Sequence, residues 1–367
     1  MAHRPIGIID PDRLKLMPQR CHAAHEFCFR LHDQMLQLLA EGEARKVANV
    51  VVKFQSVEES KAFAESDDTL TFLLQSGYAD AHKRIVLNKV TMALFSDFLH
   101  FIYEALVTFE KKKFAVSMSL LRKPLRETLM FATWMKADSV DFYDRLRASP
   151  ADLMESNYLT PERRKKLING AISACKGMNF ASADKIYHII YDKSNDFGFA
   201  RLFDKATHLV TSHPKLRTEE LNLNFIFKNP TDNDLYYTIY ADLAYILVYG
   251  NVLMISLFSE MSDIDDKYLD FILMSSLGAY SSLFQDGRNP IADNLNRLLR
   301  EFLHCPHCGS PVRIRKANAP HFFLTETLDC TKCGLDHTFP LHWLMSKSKF
   351  KLTDDRRSVA EEASVGS

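Results

Sequence analysis

Residues 80–110 read DAHKRIVLNKVTMALFSDFLHFIYEALVTFE. After Ile85 the stretch is apolar on most faces, and a helix that is hydrophobic nearly all round lies in the middle of a bundle. Past a short charged turn, residues 114–136 (FAVSMSLLRKPLRETLMFATWMK) have the same character. Pro124 inside this second segment predicts a kink, because the ring removes one backbone hydrogen bond and clashes with the preceding turn. Together the two segments read as an antiparallel αα-hairpin at the core of a mainly α protein.

Working outward, residues 20–41 are amphipathic, with Phe27, Leu31, Met35, Leu38 and Leu39 recurring at three- and four-residue steps. The β-branched run VANVVVKF at 47–54 fits either a short strand or the start of another helix. Thr160 before Pro161 marks an N-cap with proline at the first helical position. Ser262 with Asp265 resembles a capping box opening a helix to about Phe284, Gly287 ends it, and Asn289-Pro290 opens another running to His304. Further helical stretches cover 179–192, 196–211 and 232–261. The uncharged run Leu243–Phe258 has Asn251 near its middle and falls short of the ~20 residues that cross a bilayer. It reads as a buried core helix, and no membrane contact is expected.

The bulk composition agrees. Twelve Gly and thirteen Pro in 367 residues are too few turn residues for a sandwich or barrel and favour long helices. The expected organisation is an all-helical bundle over 20–303 and a small β domain over 304–345. The ends, 1–19 and 346–367, are expected to be irregular or disordered.

The small C-terminal domain carries the most specific pattern, CPHCGSPVRIRKANAPHFFLTETLDCTKCGLDHTFPLHW from 305 to 343. Cys305 and Cys308 form one Cys-x-x-Cys pair, Cys330 and Cys333 the other, and a glycine follows each (Gly309, Gly334). Two thiolates on one tight turn can reach the same metal, and glycine permits the left-handed backbone that exposes amides to the sulfurs. PVRIRKA, HFFLTETL and TFPLHW have the β character of three ribbon strands. This segment resembles the zinc ribbons with rubredoxin-like knuckles. The resemblance implies one structural Zn²⁺ on the four cysteines. His307, His321, His337 and His342 are spare nitrogen ligands. Four thiolates leave no position for water, so the metal is not catalytic.

Net charge is zero, and residues 301–367 hold nine Lys and Arg against eight Asp and Glu. Nucleic-acid contact therefore requires a local patch, and Arg313, Arg315, Lys316, Lys332, Lys347, Lys349 and Lys351 around the knuckles supply one, with Phe322, Phe323 and Trp343 as stacking faces. The competing reading is that these cations neutralise the metal's excess thiolate charge and that the aromatics are core. Free thiols beside paired Cys-x-x-Cys point to a reducing compartment, and no apolar signal segment opens Met1–Asp12, so a cytoplasmic location is expected.

In the helical body, Arg122, Arg126 and Glu127 interrupt one core helix and His100 and Glu104 the other, and they are expected to pair across the hairpin. The Arg-x-x-x-Arg-Glu at 122–127 resembles uncharacterised bacterial helical proteins, some of them similar to HEPN domains. That resemblance implies a metal-independent endoribonuclease of toxin or phage-defence type, in which Arg and His on one helix handle phosphate charge and protons. The candidate pairs are Arg201 with His208 and Arg297 with His304. The apolar neighbours Leu202, Phe203, Ala206 and Leu209 instead predict that His208 is a hydrogen-bonded packing residue. The expected function is a zinc-binding helical interaction or regulatory protein of phage defence or a mobile element, with a protein partner or a second copy of itself. The HEPN-type nuclease and a nucleic-acid-binding adaptor acting through the ribbon are the alternatives.

Overall fold

The computed structural model describes residues 5–155, 158–211, 218, 220, 221, 223, 224, 233–262 and 264–348. The chain is 67% helical with one small two-stranded sheet near its C-terminus, so the mainly α expectation holds. Of the C-terminal end 346–367, expected to be irregular or disordered, residues 346–347 fall in the helix Leu341–Lys347 and residues 349–367 lie outside the described residues.

The central element is the helix Asp234–Ser259, buried on every face from Leu243 to Ile255. It is long and apolar enough to cross a membrane, yet 83% of its most apolar window is buried within the protein. Four tyrosines fix its rotation, each hydrogen-bonding a different neighbour: Tyr236 to the Phe109 carbonyl, Tyr240 to His25, Tyr245 to the Ser182 N–H, and Tyr249 to Thr133. Buried tyrosines need such partners for their hydroxyls. Asn251, fully buried, donates to Gln34 and Ser276 and so ties three helices together.

The hairpin is present as Ala79–Glu110 packed against Phe114–Lys123. Pro124 does not simply kink the second helix. It opens one π-helical turn, Pro124–Thr128, before the α-helix resumes at Leu129–Ala137. Such a turn accommodates a residue that cannot donate to the preceding ladder. Tyr191 donates to the Arg126 carbonyl within it, at 3.0 Å.

The ion pair that crosses the hairpin is Lys123 with Asp97, at 2.6 Å, with Thr128 also donating to Asp97. This corrects the expected pairing. Among the described residues Arg122, Arg126 and Glu127 form no ion pair, and His100 and Glu104 face solvent. The run 47–54 is neither strand nor helix but an irregular connection. Thr160 caps Pro161–Ala174 as read. At 266–284 the cap is Asp265, which accepts from Lys267 N–H, rather than Ser262.

Residues 5–18 have no regular structure beyond the short helix Pro11–Leu14, yet they are tied to the bundle. Glu26, fully buried in the helix Gln19–Ala44, is the reason. One of its oxygens accepts from Ile6 N–H (2.5 Å), the other from the N–H groups of Gly7, Ile8 and Ile9 (2.7, 2.9 and 3.3 Å). Gly7, at φ +86°, supplies the left-handed step that curls the chain around the carboxylate. Beside it, His25 Nε2 contacts Glu110 at 3.2 Å, and Arg13 grips both oxygens of Glu110. The Nε2–H tautomer donates to Glu110 and leaves Nδ1 to accept from Tyr240, at 2.5 Å.

This cluster makes stability pH-dependent in one direction. Burial pushes the His25 imidazole below its ordinary range, against its hydrogen bond with Glu110. Burial also pushes the Glu110 carboxyl up, but the hydrogen bonds from His25 and Arg13 outweigh it and its pKa is lowered. As pH falls through the unfolded histidine value of about 6.5, the unfolded chain takes up a proton that the native imidazole refuses, so stability is lost. Glu110 adds a second loss, as pH falls from the ordinary carboxylate range through its own lowered value. His82, likewise lowered by desolvation and by Arg147, contributes to the first limb. Urea midpoints measured from pH 8 to pH 4 should be flat above pH 7 and fall below it. His25→Gln should shrink the first step without abolishing it.

Candidate metal centre

The two knuckles repeat one backbone pattern. Cys305 N–H donates to Ser310 C=O and Gly309 N–H to Cys305 C=O. In the second knuckle Cys330 N–H donates to Leu335 C=O and Gly334 N–H to Cys330 C=O. Gly309 and Gly334 stand at φ +68° and +73°, the left-handed geometry the sequence pattern requires. The four sulfurs come together, all within 4.8 Å of one another. Cys305 and Cys333 lie 3.6 Å apart and Cys308 and Cys330 3.7 Å apart. A tetrahedron with metal–sulfur bonds of about 2.3 Å has an edge of about 3.8 Å. The spacing therefore fits a metal between the sulfurs and is far beyond a disulfide bond of about 2.05 Å. Among the described residues this is the one cluster of metal-ligating side chains.

The sulfurs differ in proton affinity. Cys308 is drawn down to about 6, chiefly by its hydrogen bonds with Ser310. Cys330 is lowered by the backbone N–H groups of Cys333 and Lys332. At Cys333 the Leu335 N–H pulls down, but partial desolvation and the neighbouring sulfurs outweigh it and raise the thiol to about 11. Four sulfurs this close cannot all ionise without a cation among them, and a divalent ion supplies that charge. His337 Nε2 lies 2.9 Å from Cys305 Sγ. It is a hydrogen-bond donor to the thiolate, the kind of outer contact that orients metal ligands. His307 is exposed, His321 bonds Thr325, and His342 stacks edge-on against Tyr268 and Phe271.

Only part of the expected ribbon is strand. Thr327–Asp329 (β1) pairs antiparallel with Asp336–Thr338 (β2), while the first knuckle closes with a single bridge, His304 to Pro311. The HFFLT segment, read as strand, is the helix Ala319–Thr325, and Leu341–Lys347 is another. Pro320 in the first turn suits a helix start, since its missing N–H is one that a helix leaves unpaired there anyway. The helix Ala319–Thr325 lies on Asp266–Phe284 with Phe322 and Phe323 buried, so the buried cluster continues from bundle into ribbon. The aromatics named as stacking faces divide accordingly. Phe322 and Phe323 are core, and Trp343 is 57% exposed.

Gly278 is what lets the two units meet. A Cβ there would lie 2.5 Å from the Phe323 ring. Gly278→Ala should therefore cost about 1–3 kcal/mol through overpacking. In a Phe323→Ala background the same substitution should be close to neutral, and a double-mutant cycle in urea reads the coupling.

The Arg–His pairs fare differently from the cysteines. The helix Phe199–Thr207 ends before His208, whose backbone is extended. Arg201 pairs with Asp196, and His208 is exposed rather than the packing residue its neighbours suggested. Likewise Pro290–Leu298 ends before His304, which is exposed and bonds the Glu301 carbonyl, while Arg297 bonds Asn294. Neither histidine shares a helix with its arginine. The sequence reading named Arg313, Arg315 and Lys316 as a basic patch but missed that they share a cleft with Arg288, between Pro290–Leu298 and the 311–316 segment. The signal was the alternation PVRIR, which places Arg313 and Arg315 on one side and Val312 and Ile314 on the other. No protein family, curated protein or solved structure matches the chain.

Proposed function

We propose that the protein is a non-catalytic helical interaction protein whose C-terminal ribbon is folded around one structural Zn²⁺. The observation that carries this is the closed donor set, four sulfurs at tetrahedral spacing, which leaves a d¹⁰ ion no open position for substrate. Zinc, when bound, supplies charge and cross-linking rather than Lewis-acid chemistry. Cys305, Cys308, Cys330 and Cys333 hold it, and His337 orients Cys305. The exposed Phe302, Leu335 and Trp343 on the ribbon segment support contact with a partner. Metal analysis of protein purified without added metal should give one zinc per chain. Recovery of iron instead would make the site a redox centre, and recovery of no metal would end the reading.

A further inference from the structure

We propose that the cleft between bundle and ribbon binds the phosphates of a single-stranded nucleic acid. This names a partner for the interaction protein above and rests on the ribbon being held in place.

The cleft has a volume of about 350 Å³ and two walls of different origin. Arg288 stands on the bundle side, just before the helix Pro290–Leu298. Arg313, Arg315 and Lys316 stand on the ribbon side. Over residues 311–315 the ribbon wall alternates between exposed and buried positions. Val312 and Ile314 are buried at 5% and 3% exposure, and the two arginines point the other way. Asn296 locks the walls together, donating to the Ile314 carbonyl at 2.7 Å and accepting from the Ile314 N–H at 2.9 Å. The cations are thus held in register across the boundary rather than carried on a free tail.

Their charge is unspent. Among the described residues no carboxylate pairs with Arg288, Arg313 or Arg315, and Asp293 is the one acid lining the cleft. Lys316 is fixed by the Gln285 carbonyl at 2.6 Å, which leaves its charge uncompensated. The helix contributes its dipole but no free amides, since Asn289 caps Ile291 and Ala292 and proline occupies the first position. Guanidinium groups present paired donors that match phosphate oxygens. Cations spread over two facing walls suit successive phosphates of a strand better than one small anion. A concave cleft also admits a strand, whereas reading duplex DNA calls for a protruding helix or ribbon.

The rival account is that Arg313 and Arg315 offset the charge of the metal centre. The two accounts diverge on zinc. The test uses the full, zinc-loaded chain and fluorescence anisotropy with labelled 20-mer oligo(U) and oligo(dT). A duplex of equal length, polyglutamate and ATP serve as competitors. The wild type should bind the single strands, with an affinity that falls as salt rises. Arg313→Ala/Arg315→Ala should weaken binding about tenfold or more and flatten the log–log salt slope by about 1.4, at about 0.7 per lost single-strand contact. Zinc content should not change. Arg288→Ala, outside the ribbon, should weaken binding in the same sense and keeps the test valid if the double variant sheds metal. Arg45→Ala, at the end of the helix Gln19–Ala44 and outside the cleft lining, should have no effect. The proposal is overturned by absence of single-strand binding, by polyglutamate, duplex or ATP competing as well as single strands, or by Arg288→Ala binding like wild type. A chain that carries zinc yet fails these tests loses the nucleic-acid partner but keeps its structural metal centre.

Discussion

Glu26→Ala is expected to destabilise the protein by roughly 4 kcal/mol or more. The carboxylate is fully buried and accepts from four consecutive backbone N–H groups. Removing it leaves the N–H groups of buried Ile6 and Ile9 unpaired, each at about 1–3 kcal/mol, and turns those of exposed Gly7 and Ile8 to water. The segment relaxes by pulling away, which exposes Ile6, Ile9, Leu14 and Met17, all now buried. Arg13 would leave with it and strip Glu110 of its bidentate partner. Glu26→Gln separates charge from shape. It keeps one acceptor oxygen but turns an NH₂ toward backbone donors, so it should fall between wild type and alanine. Urea unfolding gives the ranking, and hydrogen exchange at the amides of residues 6–9 should accelerate in both variants. An alanine variant with an unchanged urea midpoint would show that the 5–17 segment is not anchored by Glu26.

That anchor was invisible in the sequence for a physical reason. The partners of Glu26 are main-chain amides 17–20 residues earlier, and backbone groups leave no residue signature. His25-Glu26 carries no motif that sets it apart from other polar positions on an amphipathic helix. The four-cysteine cluster, in contrast, was legible, because its chemistry resides in side chains at short fixed spacing and the glycines report the backbone directly. The bundle was legible through apolar continuity, and Pro124 announced its own irregularity. Local β-propensity failed at 47–54, at 319–325, and again at 312–317 and 341–343. In the first case the segment has no strand to pair with. In the second, both phenylalanines are buried because the segment is wedged between sheet and bundle, whereas a strand would turn them to opposite faces. The Arg–His spacing failed because it presumed an unbroken helix, and both helices stop short of the histidine.

The metal centre gives the second large effect. Cys330→Ser is expected to abolish stoichiometric metal binding, since a neutral hydroxyl replaces one of four thiolates and opens the tetrahedron. Structural zinc in small domains contributes on the order of 10–16 kcal/mol of apparent folding free energy, far more than 40 residues with three-residue strands can recover from packing. The ribbon should therefore unfold. Most helices lie before residue 299, so the far-ultraviolet helical signal should largely persist. The bundle will not be untouched, because the face of Asp266–Phe284 that receives Phe322 and Phe323 becomes exposed. The expected signature is loss of metal, new proteolytic cuts within 304–348, and a lower melting temperature with most ellipticity retained. His337→Ala is the graded companion. It removes the donor to Cys305 but no ligand, and should weaken metal retention against a chelator about 10–100-fold while leaving the fold intact. If Cys330→Ser keeps one metal per chain while His337→Ala loses it, the imidazole is a ligand and Cys330 is not.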